Sequence, residues 1–208
     1  ISKMTLTMER ISKIDMDETE KARLMAELHC GRGWLAYILY DLYGPIQVAS
    51  KELLEDPLND NPAPRLSQEE MVKFIEDDLK AALILPARYD KDDSNYGRFT
   101  RGLAYTVLMK LYMHEKQWQK AAECGKELAK ALAEHGVEVI AHGSRKSEKL
   151  DLAAKYIGAA TTAVCDLSAP DAADILFEQT GAVDILILNA SVQYKRPWDG
   201  FSREEVDM

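Results

Sequence analysis

The sequence predicts a mixed fold, in which an all-α piece (residues 1–124) is followed by an incomplete α/β piece (residues 125–208). Two observations predict it. Apolar residues recur at three- and four-residue steps as far as about His135, which is typical of amphipathic helices. Beyond Gly136, short apolar runs alternate with helical stretches of about ten residues, which indicates βαβ units around a parallel sheet.

A long helix is predicted over residues 19–43, because leucines recur there at helical spacing and Gly44-Pro45 ends the pattern. These leucines are Leu24, Leu28, Leu35, Leu39 and Leu42. Four aromatic side chains of the same helix are expected to fill the core between helices, namely Trp34, Tyr37, Tyr40 and Tyr43. The proline-rich stretch 44–66 predicts a long irregular loop.

Three more helices are predicted before the change of pattern. Residues Ser67–Glu70 form a capping box that begins the first, and Pro86 ends it. Thr100 opens the second, and the third runs over about residues 118–135. The apolar face of the third continues across position 125, which predicts one unbroken helix. Helix pairs with short turns indicate a tetratricopeptide-like array.

The α/β piece is predicted to contain three strands. They are expected at residues 137–141, 161–164 and 183–188, with helices over about 146–157 and 170–179 between them. In an open parallel sheet, ligands bind beyond the carboxyl ends of the strands. The polar or small residues that fall at these ends are Arg145, Asp166, Asn189 and Ala190.

Composition excludes several classes of function. The net charge is −9, both pieces are mildly acidic, and no basic stripe offers a surface for nucleic acid. No apolar run has the roughly 20 residues that a membrane span needs, and the opening residues carry no signal-peptide pattern. Cys30, Cys124 and Cys165 lie far apart, so buried free thiols are predicted and no metal site is expected.

Three ordered stretches over residues 20–123 resemble the SusD/RagB family of Bacteroidetes outer-membrane nutrient-binding lipoproteins. They are KARLMAELHCGRGWLAYILYDLYGPIQV, RLSQEEMVKFIEDDLKAALILP and YGRFTRGLAYTVLMKLYMHEKQWQKA. The resemblance implies an all-α tetratricopeptide-like fold that binds glycans without chemistry, beside a TonB-dependent transporter at the outer membrane or cell surface. The family's lipidated N-terminal cysteine has no counterpart, since the first cysteine is Cys30 within a helix.

Glycan-contacting aromatic residues vary within that family, so none is carried over by motif. Aromatic faces bind sugar rings, and Tyr89 and Tyr96 in the polar loop are therefore two candidate platforms. The alternative is that both side chains pack within the loop.

Residues 125–208 resemble a short-chain dehydrogenase/reductase with a Rossmann-like fold. The resemblance is carried by GKELAKALAEHGVEVIAHGSRKSEKL, by CDLS after the second strand, and by TGAVDILILNAS. It implies an NADP-dependent oxidoreductase in the cytoplasm. By resemblance, Ser144 and Arg145 would select NADP, and Asp166 and Leu167 would flank the adenine. Asn189 and Ala190 would line the nicotinamide side; the alternative for Arg145 is a solvated loop arginine.

Parts of that family's pattern are absent. Gly125 matches only the last glycine of the Thr-Gly-x-x-x-Gly-x-Gly turn, and WQKAAEC stands where the rest should be. Without those glycines the backbone cannot approach a pyrophosphate. The strand before the turn is replaced by the helical stretch LMKLYMHEK, and the sequence ends at Met208 before the family's Ser, Tyr and Lys. We therefore expect no catalytic residues and no bound cofactor.

Three hypotheses follow for the whole chain. The first is a glycan-binding protein, and the second is an NADP-dependent reductase or its remnant. The third is a chimera with no evolved function as one chain, and it leads because the two families belong to different compartments and meet abruptly near Gly125.

Overall fold

The computed structural model describes residues 1–56, 58 and 62–184. This part of the chain forms eight α-helices, one short 3-10 helix (Ala82–Ile84) and two strands. The helices are α1 (Ser2–Ser12), α2 (Glu18–Tyr43), α3 (Lys51–Glu55), α4 (Gln68–Ala81), α5 (Arg101–His114), α6 (Trp118–Glu134), α7 (Glu148–Ile157) and α8 (Ala172–Thr180). The strands are β1 (Ile140–Gly143) and β2 (Thr161–Val164). The predicted fold class, a helical piece followed by a partial parallel α/β piece, is confirmed.

The helical piece is organised around the contact between α2 and α4. Gly33 of α2 allows the close approach, because a Cβ atom at this position would lie 2.9 Å from Cγ of Leu79 and 3.1 Å from Cβ of Asp78. A core of fully buried side chains joins α2, α4 and α5, including Met71, Ile75, Leu79, Leu108 and Leu111. Burial of such side chains stabilises the fold by about 1.5–3 kcal/mol each.

Helix α2 buries a different face from the one that its leucines predicted. The buried side is formed by small residues and one tyrosine, Ala26, Cys30, Gly33, Ala36 and Tyr40. Leu35 and Leu42 are exposed, as are Trp34 and Tyr43, so the prediction that all four aromatics fill the core was correct only for Tyr40 and, in part, for Tyr37. The small-residue face is the buried one because it lets α4 approach closely, whereas a leucine stripe would hold the helices apart.

The predicted helix starts are confirmed by their caps. The Ser67 hydroxyl accepts a hydrogen bond from the Glu70 amide at 3.2 Å, and the Glu70 carboxylate accepts one from the Ser67 amide at 2.8 Å. The Thr100 hydroxyl accepts from the Leu103 amide at 3.3 Å. These contacts satisfy amide groups that have no partner inside the helix.

Two local features differ from the predicted loops. Residues 2–12, for which no element was predicted, form α1, which packs against α2. The proline-rich stretch 44–66 contains the short helix α3, whose cap is the Ser50 hydroxyl. An antiparallel bridge between Gln47 and Arg65 ties the two ends of this stretch together.

Helix α6 runs unbroken from Trp118 to Glu134, as predicted, and contacts helices of both pieces. On one side Gly125 faces α5, since a Cβ atom there would lie 3.5 Å from the Met109 sulfur. On another side the Lys130 ammonium lies 5.3 Å from the ring centroid of Tyr156 on α7. The predicted division at residues 124 and 125 thus falls inside a helix and stays a prediction.

The α/β piece begins with a parallel pair in which Ile140 is opposite Thr161 and Gly143 is opposite Val164. β2 has the predicted bounds, whereas β1 starts three residues later than predicted. The reason is that the Val137 amide still closes the end of α6 through a 3.1 Å hydrogen bond to the Leu132 carbonyl. The third predicted strand, 183–188, lies outside the described residues from position 185 onward.

Candidate functional site

The carboxyl ends of β1 and β2 bring together four of the six predicted site residues. Because Gly143 is paired with Val164, the segments that begin at Ser144 and Cys165 leave the sheet side by side. Ser144, Arg145, Asp166 and Leu167 lie on these two segments, and all four are exposed. Asn189 and Ala190 lie outside the described residues.

The Asp166 carboxylate is engaged in its own turn. Its Oδ1 atom accepts hydrogen bonds from the Ser168 amide at 3.0 Å and from the Ser168 hydroxyl at 2.7 Å. These bonds lower the pKa of Asp166 below its ordinary value, with the backbone bond contributing most. Asp166 is therefore a fixed anion at neutral pH, held by an Asx turn.

Two side-chain contacts shape this edge, and sequence reasoning missed both. The Gln179 carboxamide of α8 pairs with the backbone of Val164, accepting from its amide at 2.8 Å and donating to its carbonyl at 2.9 Å. The His142 Nε2 atom lies 2.9 Å from the Cys165 carbonyl oxygen. No spacing rule in the sequence signals either contact, because each joins residues 15 or more positions apart.

The residues that would have to hold the pyrophosphate of a dinucleotide do not fit that role. A phosphate cradle needs a glycine-rich turn that opens a helix directly after a strand. Here WQKAAEC forms the first turns of α6, and Gly125 lies in the interior of that helix, facing Met109. The described residues thus form no phosphate cradle of this kind, and the ribose and adenine roles of Ser144, Arg145, Asp166 and Leu167 stay predictions.

In the helical piece, the two tyrosines proposed as sugar platforms have different surroundings. Tyr96 is 66% exposed, so its ring is available to a ligand. Tyr89 is half-buried, and its hydroxyl oxygen is enclosed without a hydrogen-bond partner among the described residues. Tyr89 is therefore partly covered, and Tyr96 alone of the two is mostly exposed.

The loop that carries Tyr96 is fastened to α2 by charge pairs. The Arg98 guanidinium donates two hydrogen bonds to the Glu27 carboxylate, at 2.8 and 2.7 Å. Glu27 also accepts from Arg23 at 2.9 Å. The Glu27 hydrogen bond raises the pKa of Arg98 above its ordinary value. A bidentate pair of this kind fixes the loop more firmly than a single ion pair does.

An open groove of about 460 Å³ lies beside this piece, between α1, α2, α4 and the chain before α3. Its charged lining groups are already paired. Arg32 donates to Asp78 and to the Thr5 hydroxyl, and Lys73 pairs with Asp77 at 2.7 Å. The groove therefore presents mainly apolar surface.

The cysteines are buried free thiols, as predicted. Burial raises the pKa of Cys30 to about 12 and that of Cys124 to about 11, so neither is a thiolate at neutral pH. Within the described ranges, no three His, Cys, Asp or Glu residues are grouped to hold a metal ion. None of the described helices combines the length and apolar character needed to cross a membrane.

Known proteins resemble the two pieces separately. Residues 121–208 match the family of short chain dehydrogenases. Gluconate 5-dehydrogenase from Gluconobacter oxydans is 40% identical over an alignment of 91 residues, and the match covers 40% of this chain and 35% of that protein.

Several solved structures that resemble this chain are described as SusD-like. A SusD-like protein from Bacteroides fragilis is 30% identical with a TM-score of 0.56, over 62% of this chain and 25% of its own. A laminarin-binding SusD-like protein is 25% identical with a TM-score of 0.55, over 62% and 27% of the two chains. The chain thus spans about a quarter of these structures and about a third of the dehydrogenase.

The fold and the candidate site define a protein of two pieces, in which a helical, SusD-like piece is joined to part of a dinucleotide-binding fold. Both predicted resemblances are confirmed: the N-terminal piece resembles SusD-like proteins, and the C-terminal piece resembles short-chain dehydrogenases. The chain looks like a chimera of the two. The dehydrogenase match begins at residue 121, so 120 residues precede it. The SusD-like structure matches 62% of the chain, which is more than those 120 residues, and the two resemblances therefore overlap.

Proposed function

We propose that the helical piece binds a glycan at the cell surface without chemical conversion, and that the dehydrogenase-like piece binds no NADP in this chain. The observation that supports the first part is the 30% identity to a SusD-like structure at a TM-score of 0.56. A second SusD-like neighbour is described as laminarin-binding, which suggests a β-glucan as the first ligand to test. A TonB-dependent transporter would be the membrane partner by the same resemblance.

Tyr96 is the residue that we propose as the sugar platform. Its ring is mostly exposed, and the loop beneath it is held to α2 by the Arg98–Glu27 pair. A platform whose backbone is fixed before binding loses less conformational entropy when the ligand stacks on it. Tyrosine also combines an apolar face with a hydroxyl that can bond to a sugar.

Calorimetric titration of the full chain with laminarin oligosaccharides tests this proposal. We expect a binding isotherm for the unaltered chain, and a loss of affinity of at least tenfold in Y96A. The matched control is Y156A, which removes an exposed tyrosine from α7 in the other piece and should leave the affinity unchanged. Absence of heat with laminarin and with a panel of other glucans would refute glycan binding, and equal affinity in Y96A would refute the role of Tyr96.

The proposal that NADP does not bind rests on α6. A continuous helix occupies the positions where the glycine-rich turn would stand, and from Ala121 onward its backbone amides are engaged within the helix. The alternative function is an NADP-dependent oxidoreductase, favoured by the match to short chain dehydrogenases over residues 121–208.

Titration of the chain with NADPH, followed by nicotinamide fluorescence, separates the two. We expect no enhancement at millimolar NADPH, and no difference between the unaltered chain and R145A. Saturable enhancement that R145A weakens would overturn our proposal, because it would show that Arg145 contacts the 2′-phosphate. The dehydrogenase-like piece would then be a functional cofactor site.

A further inference from the structure

The two-stranded sheet has an outer edge along β2. This strand pairs with β1 on one side, and among the described residues no strand pairs with it on the other. The Cys165 amide donates to the Gly143 carbonyl of β1 at 3.1 Å, so by alternation the backbone groups of Thr162 and Val164 point to the outer edge. An edge of this kind is a template on which a further strand can pair.

Gln179 of α8 occupies half of this edge. Its carboxamide accepts a hydrogen bond from the Val164 amide at 2.8 Å and donates one to the Val164 carbonyl at 2.9 Å. A carboxamide carries the same donor and acceptor as a peptide unit, so Gln179 makes the two hydrogen bonds that an added strand would make at this residue. A further strand could then pair only at Thr162.

The helix end that carries Gln179 is itself fixed. The Gly181 amide donates to the Phe177 carbonyl at 2.8 Å, and the Thr180 hydroxyl donates to the Leu176 carbonyl at 2.9 Å. These bonds close the last turn of α8 on both sides of position 179 in the sequence. The carboxamide is therefore held against Val164 by an ordered backbone.

The sequence of β2 shows why its edge needs cover. Residues 156–165 read YIGAATTAVC and contain no charge and no proline, with two β-branched threonines inside the strand. Uncharged segments of high β-propensity pair readily with copies of themselves. The nearest charges are Lys155 and Asp166, and both lie outside the strand. The side chains of β2 thus do nothing to discourage pairing, and Gln179 blocks it through the backbone.

We propose that Gln179 protects the outer edge of β2 from pairing with the β2 strand of a second copy of this chain. A second copy is the expected partner because the same uncharged segment then lies on both sides of an antiparallel, twofold pair. The role is independent of glycan binding, since it involves neither Tyr96 nor the helical piece. It is equally independent of NADP, because it concerns the edge of the sheet that faces away from β1.

Two variants of the full chain remove the contact. Q179A deletes the carboxamide, and Q179M keeps most of its length without a group that can pair with Val164. We expect the Val164 amide to exchange at least about tenfold faster in both, measured by hydrogen exchange with NMR detection. In sedimentation equilibrium at about 100 µM protein and about 0.3 M NaCl, which screens the charge of −9, the mass should rise toward twice that of the unaltered chain.

The matched control is Q119A on α6. It deletes a carboxamide that donates to Glu123 at 3.1 Å, far from any strand, and it should match the unaltered chain in both measurements. Circular dichroism checks that every variant keeps its helices.

A proline at position 164 identifies the surface through which copies associate. V164P removes the amide that points outward and leaves the hydrogen bonds to β1, since an edge strand accepts proline where its missing N–H faces outward. Q179A/V164P should therefore return to the mass of the unaltered chain. Faster exchange at Val164 in Q179A without a rise in mass would overturn the proposal, as would association that V164P leaves unchanged. Unchanged exchange at Val164 would also overturn it, because the contact would then not exist in solution.

Discussion

Replacement of Asp78 tests the account of how α2 and α4 are held together. Asp78 is only 2% exposed, and its carboxylate accepts from Nε and Nη2 of Arg32, each at 2.7 Å. The His29 Nδ1 atom donates to the same carboxylate at 2.7 Å. Arg32 also lies over the Phe74 ring, 5.0 Å from its centroid, which holds the guanidinium in place. Both oxygens of a buried anion are thus fully engaged.

The expected cost of D78N follows from this geometry. Removal of one partner of a buried ion pair costs about 3–5 kcal/mol, because the remaining charge stays buried without compensation. For a chain of this size, each kcal/mol corresponds to about 2–4 °C in Tm. We therefore expect a fall in Tm of about 6–20 °C, measured by circular dichroism at 222 nm at pH 7.5.

The control lies one residue away on the same helix. Asp77 pairs with Lys73 at 2.7 Å, but both side chains are mostly exposed, so D77N should cost no more than about 0.5 kcal/mol. Urea denaturation of both variants gives the difference in the free energy of unfolding directly. If D78N and D77N were equally stable, the buried pair would not be what joins α2 to α4, and the reasoning would be refuted.

Four further substitutions are predicted from local geometry. S67A should cost about 1 kcal/mol in urea denaturation through loss of the capping box. The hydrogen bond from the Ser67 amide lowers the pKa of Glu70 below its ordinary value of 4.5. The contribution of this hydrogen bond to stability is therefore present above pH 4.5 and is lost as the pH falls through the lower pKa of the folded state. G33A should cost about 1–3 kcal/mol because of its 2.9 Å contact, whereas G125A should stabilise by about 0.5–1 kcal/mol since its Cβ meets only an ordinary contact at 3.5 Å. Q179A should accelerate hydrogen exchange in β2 with little change in α4.

Comparison of G33A with G125A also tests whether position 125 is an ordinary helix interior or part of a dinucleotide-binding turn. Both glycines lie inside helices, but Gly125 is the position that matches a glycine of the dinucleotide turn. If G125A destabilised the chain as much as G33A, position 125 would not be an ordinary helix interior. Equal hydrogen exchange of β2 in Q179A and the unaltered chain would show that the carboxamide pairing is not formed in solution.

Where interactions are local, the sequence alone determined the structure. The starts of α4 and α5 followed from Ser67 and Thr100, because a cap joins residues three positions apart. The unbroken course of α6 and the bounds of β2 were likewise predictable from the apolar pattern. Both family resemblances were also predicted from the sequence, because their motifs are contiguous stretches of the chain.

Tertiary structure decided what depends on contacts between distant segments. The sequence of α2 offers two apolar faces, and the leucine stripe was the wrong choice for the core, because only the small-residue face lets α4 approach within van der Waals contact. The partner of the Val164 backbone, Gln179, was equally invisible, since it is positioned by the docking of α8. Periodicity fixes which residues share a face, but shape complementarity with another element selects the face that is buried.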